Sequence, residues 1–153
     1  MLRVYNSLLL SLLVFASSLG FAENTQSKSS DIWRLAQKSI EKKDYKQAKL
    51  YLNQAISEGK LNGDTTYLLK GLSRLELLYS EHGQNDSAIA ICYERLSINR
   101  LRKNYKSLSD NFRALNSLML TNIGLNTTQG LMDSCIYYAL LSKDTQVIAV
   151  AYT

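Results

Sequence analysis

The sequence predicts an all-α chain of antiparallel helix pairs, and three observations predict it. After residue 30, apolar residues recur three and four apart, the spacing of one helix face rather than the alternation of a strand. None of the 153 residues is proline, whereas average usage gives a chain of this length roughly eight, which argues against a loop-rich or all-β architecture. Asp, Ser or Thr stands ahead of most apolar stripes, where its side chain accepts a bond from the free amides of a first helical turn.

Residues 1–22 carry a single cation, Arg3, then an apolar run from Leu8 to Leu19, then Gly20 and Ala22 ahead of polar Glu23. A run of about a dozen residues falls short of the roughly 20 that cross a bilayer, and small residues at its end suit a signal peptidase. The expectation is a signal peptide cleaved near Ala22, directing the chain to a periplasm or out of the cell. Residues 23–30, rich in Ser, Asn, Gln and Thr, read as a flexible leader.

The helical part is expected over residues 31–143. Ser30 or Asp31 opens a helix carrying Ile32, Leu35, Ala36 and Ile40. Asp44 opens the second, with Gln47 placed as in a capping box and Gly59 just past its end. Asp64 opens a third, with Leu68, Leu72, Leu75 and Tyr79 on one stripe and a stop near Gly83; Asp86 opens a fourth with Ile89, Cys92 and Leu96. A longer helix, Arg100 to Ile123, carries Tyr105, Leu108, Phe112, Leu115 and Met119 until Gly124 stops it. Thr127 or Thr128 caps a sixth, running to about Leu141. Residues 144–153 form a C-terminal tail whose Val147, Ile148, Val150 and Tyr152 have strand propensity. With no second strand to pair with, the tail reads as a short terminal helix or an ordered segment over the last helix pair.

The first two helix pairs are self-similar. Leu35, Tyr45, Ala48, Leu52 and Ala55 correspond to Leu75, Asn85, Ala88, Cys92 and Arg95 at an offset of 40 residues. Small Ala48 and Ala55 around large Leu52, behind the Asp44-Tyr45 turn, resemble the tetratricopeptide repeat, a 34-residue helix-turn-helix unit. The resemblance covers about residues 30–115. The second unit puts Arg95 where a small residue belongs. In the third, Tyr105, Leu108 and Phe112 match at an offset of 33 before the match fails, leaving two good repeats and a degenerate third. The closing proline of the family is absent, the first linker carries about six extra residues, and the third unit has an overlong first helix. The fold the resemblance implies is a short solenoid of stacked helix pairs.

The resemblance also implies a concave groove lined by the first helix of each pair, holding an extended peptide or a partner's helix. Its groove positions fall on Trp33 and Gln37 in the first unit, on Lys70, Ser73 and Arg74 in the second, and on Lys103, Lys106, Asp110 and Arg113 in the third. Such a groove is basic. Together with a net charge of +5 from 18 Lys and Arg against 13 Asp and Glu, it suits an acidic protein or peptide, with Trp33 as an apolar anchor. Leu77 departs from the carboxylate-clamp type of the family, which has a polar residue there. Arg95, Arg100, Arg102, Lys103 and Lys106, with no acid between Arg95 and Lys106, are the densest cationic feature; export disfavours nucleic acid and leaves a peripheral envelope contact as an electrostatic role.

Chemistry is not expected. A single His, no Gly-rich phosphate loop and no cluster with metal-ligand spacing argue against an enzyme, a cofactor or a metal. His82 beside Gly83 reads as a helix-end residue, and Glu76, Glu81 and Asp86 as a solvated face. Cys92 and Cys135 make an even count that an oxidising compartment allows to pair, provided their helices lie side by side; the alternative is two buried thiols. The function expected is an exported adaptor or scaffold within an envelope or secretion assembly, the alternative being a secreted structural or effector protein acting outside the cell.

Overall fold

A computed structural model describes residues 28–123 and 128–153, and every element in that range is a helix. The signal-peptide stretch 1–22, the leader as far as residue 27, the Gly124 stop and the alternative cap Thr127 lie outside the described residues. α1 covers residues 28–41, followed by α2 (Tyr45–Asn62), α3 (Thr65–Glu81), α4 (Asn85–Leu101), α5 (Tyr105–Ile123), α6 (Gln129–Ser142) and α7 (Thr145–Ala151). The described residues divide into two compact units after Gly71, with the division inside α3.

The turns explain the regular helix lengths. A left-handed residue ends the helix at Lys43 (φ 58°), Gly63 (67°), Gly83 (68°), Lys103 (52°) and Lys143 (56°). The residue that follows is polar in each case: Asp44, Asp64, Gln84, Asn104 and Asp144. Asp44 accepts from the amide of Gln47, Asp64 from those of Thr66 and Tyr67, Asn104 from that of Ser107, and Asp144 from those of Gln146 and Val147. Among the described residues, stops and caps recur every 20 residues from Lys43 to Asn104 and again 40 residues on at Lys143 and Asp144, so a helix pair recurs every 40.

This period corrects several expectations. Residues 28–30 are already helical and Ser29 is buried, so α1 begins earlier than the Ser30 or Asp31 cap and shortens the leader. Gly59 does not end α2, which runs to Asn62 and stops at Gly63. The extra residues of the first repeat therefore lie in helix rather than in a linker. Asp86 sits inside the first turn of α4, behind Gln84. The helix expected from Arg100 to Ile123 is two helices, broken at Arg102-Lys103-Asn104 by a lysine in the left-handed region. The tail, by contrast, forms the short terminal helix expected of it, α7.

In the first unit, Ile32, Ala36, Ala48, Leu52, Ala55, Ile56 and Leu68 are buried, while Leu35 faces solvent. Gly59 is a close-approach residue: a Cβ there would stand 2.8 Å from Leu68 N. At Gly71 it would stand 2.8 Å from Ile56 Cγ1, so α2 and α3 pack backbone against side chain. In the second unit, Ala88, Cys92 and Leu96 of α4 share one core with Leu108, Phe112, Leu115 and Leu118 of α5, Cys135 and Ala139 of α6, and Val147 and Ala151 of α7.

The 40-residue register runs through both cores. Buried residues coincide at Ala48 and Ala88, Leu52 and Cys92, Leu68 and Leu108, Leu72 and Phe112, Leu75 and Leu115, and Leu78 and Leu118. The offset of 33 for the third unit is therefore corrected to 40, and its first helix begins at Tyr105 rather than Arg100.

Candidate functional site

One candidate site lies between α5 and α7. Asp144 does two things there: its Oδ1 caps α7 through the amides of Gln146 and Val147, and its Oδ2 accepts from Lys106 Nζ at 2.9 Å. That bond raises the Lys106 pKa, and the same bond, followed by the Val147 amide, lowers that of Asp144. One turn on from Lys106, Asp110 accepts from Arg113 at 3.4 Å, a long contact that leaves the guanidinium about half exposed. Lys106, Asp110 and Arg113 with Gln146, Val147 and Val150 line an open surface cleft of about 190 Å³.

Chemically this places buried Val147 and exposed Val150 beside paired charges. Two cations and two carboxylates balance, so the cleft is far less basic than the expected groove. Arg113 is the member with most to offer an incoming carboxylate, because a guanidinium has five donors in a planar fork and its contact to Asp110 is weak.

Of the expected groove residues, Lys106, Asp110 and Arg113 come together here. Ser73 is exposed and Arg74 half-buried on α3; Lys103 is the exposed turn residue before α5. Trp33 and Gln37 are half-buried on α1, and Lys70 places Nζ 5.0 Å from the centre of the Tyr67 ring. Sequence reasoning missed Asp144, Gln146, Val147 and Val150. The signal was present, since Asp144 repeats Asn104 and Gln146 repeats Lys106 at the 40-residue period.

Three other expectations change. Cys92 and Cys135 are both free and buried, so the bridge is overturned. Each thiol engages the preceding helix of its own pair instead. Cys135 Sγ lies 3.4 Å from Ser109 Oγ on α5. Burial first, then the neighbouring Glu76 carboxylate of α3, pushes the Cys92 thiol up to about 12, which keeps it protonated and unreactive. Glu76 is not on a solvated face: it accepts from Arg95 in a pair whose side chains are 11% and 13% exposed. Arg95 consequently drops out of the surface cation run. Arg100 stays exposed and sets its guanidinium 5.7 Å from the centre of the Phe112 ring. At the end of α3, His82 Nδ1 donates to the Leu78 carbonyl at 2.7 Å, a helix-end contact as expected.

Among the described residues, no group of three or more His, Cys, Asp or Glu is placed to hold a metal ion, and no helix is long and apolar enough to cross a membrane. No family model, curated protein or solved structure matches the chain.

Proposed function

We propose that the chain is an exported helical-repeat adaptor that holds a segment of a protein partner against its inner helices, within an envelope or secretion assembly. The observation that carries this reading is the α5–α7 cleft, where two valines and paired charges meet on helices that repeat at 40 residues. Amphipathic clefts of this kind bind segments that alternate apolar and charged side chains. The partner residue that fits is an aliphatic side chain on Val147 and Val150 beside a carboxylate taken by Arg113. The tetratricopeptide-like placement of Ala48, Leu52 and Ala55 supports the adaptor class, although the pair length of 40 departs from 34. The pattern of residues 1–22 supports export.

The test is a cross-linked pull-down from the envelope fraction, run beside an Arg113→Glu, Val150→Asp variant and read by mass spectrometry. Capture by the native chain alone, with equal helicity in both, is the expected result. Equal recovery by both contradicts the groove. A cell-derived chain that retains residues 1–22 contradicts export.

A further inference from the structure

Two buried asparagines break the 40-residue register at one helix interface. Asn99 stands where the neighbouring repeats have Gly59 and Ala139, and Asn111 where they have Gly71 and Ala151. All six positions are buried, Asn99 to 1% exposure and Asn111 to 0%. Asn99 Oδ1 and both amide atoms of Asn111 have no hydrogen-bond partner. Asn99 shares the core stripe of α4 with Cys92 and Leu96; Asn111 precedes Phe112 and lies between Leu108 and Leu115 on α5. α4 and α5 pack on each other, so the cost of these unsatisfied amides falls on that seam.

Across the seam Arg100 of α4 lies over the Phe112 ring of α5; the helices on either side of it are joined by ion pairs and ring stacking. Glu76 and Arg95 join α3 to α4. Phe112 stacks on Tyr138 with ring centres 5.5 Å apart, joining α5 to α6, and Lys106 joins α5 to α7 through Asp144. Between the two bodies the chain connection is the three-residue turn Arg102-Lys103-Asn104, with Lys103 in the left-handed region.

We propose that the α4–α5 seam is the line along which residues 72–153 open, with α3–α4 and α5–α7 moving as bodies about the turn at Lys103. Opening hydrates the two amides and so offsets part of the apolar contact it gives up, a compensation that glycine or alanine at those positions lacks. Ser73 and Arg74 lie on one body and Lys106, Asp110 and Arg113 on the other, so the movement changes the span between them. The inference rests on burial and pairing and stands apart from the groove reading.

Cys92, two turns before Asn99 on the same stripe, is a built-in reporter, and Cys135, inside the α5–α6 pair, is the reference. The full chain is labelled under native conditions with a soluble aromatic disulfide, beside an Asn99→Ala, Asn111→Ala variant and a single Asn111→Gly variant; alanine and glycine already occupy these register positions elsewhere in the chain. The expected result is a Cys92 rate slowed roughly tenfold in the double variant and slowed in the single one, with the Cys135 rate unchanged. An unchanged or faster Cys92 rate, or an equal change at both thiols, overturns the proposal.

Discussion

The α2–α3 and α4–α5 interfaces occupy the same positions of one repeat and are filled in opposite ways. In the first, Gly59 and Gly71 remove side chains so that the helices touch through backbone. In the second, Asn99 and Asn111 place polar amides in a buried core without partners. A repeat period dictates where residues are buried; it does not dictate that the buried residues be apolar. The polar departures concentrate in residues 72–153, which also contain the buried Glu76–Arg95 pair at the register of Ala36 and Ala55.

The largest expected effect comes from breaking that pair. Glu76→Ala or Arg95→Ala leaves a buried charge alone and is expected to cost about 3–5 kcal/mol, read as a fall in the urea midpoint. Replacing both by leucine and alanine is expected to recover most of the loss, because the pair's attraction is largely spent on its own desolvation. Failure of the double variant to recover shows instead that the pair is net stabilising. On the other side of the comparison, Gly59→Ala puts a methyl 2.8 Å from Leu68 N, and forcing α2 from α3 is expected to cost about 1–3 kcal/mol. An unchanged midpoint shows that the backbone contact is not tight.

A smaller effect concerns α7. Asp144 has a lowered pKa and so stabilises the docked helix above its ordinary value of 3.8, the contribution being lost as pH falls through the lowered folded value. Lys106, with a raised pKa, contributes below 10.5 and loses its part only as pH rises through a still higher value. The methyl resonances of Val147 and Val150 are expected to hold steady between those limits and to shift at the acid end. In Lys106→Ala that acid transition moves up towards the ordinary carboxylate value, and an unmoved transition denies the Lys106–Asp144 link.

Much of the fold is legible in the sequence because its signals are local. Asp44 and Asp64 announce their caps, and Leu68, Leu72, Leu75, Leu108, Phe112 and Leu115 announce their stripes. Two of the misreadings, the end of α2 and the missed break before α5, share one physical origin, the use of glycine as the mark of a helix end. Gly59 is glycine because Leu68 presses on it, not because the helix stops, while Lys43, Lys103 and Lys143 end helices in the left-handed conformation that glycine adopts at less cost. The 20-residue spacing of Asp44, Asp64, Gln84 and Asn104, with Asp144 a further 40 on, identifies those ends without glycine. At the candidate site, Lys106, Asp110 and Arg113 were expected from the groove positions that the repeat resemblance implies. Asp144 as their counter-charge was not, because it lies 38 residues from Lys106 and no local pattern links them. The partnership of Glu76 with Arg95, 19 residues apart, was hidden for the same reason.

The central claim is that residues 40 apart do the same structural work, so that an asparagine at a glycine or alanine position weakens the fold where it sits. The most direct measurement is equilibrium urea unfolding of Asn111→Ala beside the native chain. Removing two unsatisfied buried groups, less the small void left behind, is expected to raise stability by about 1 kcal/mol. A fall of that size contradicts the claim, since it means that Asn111 holds the seam together rather than loosening it.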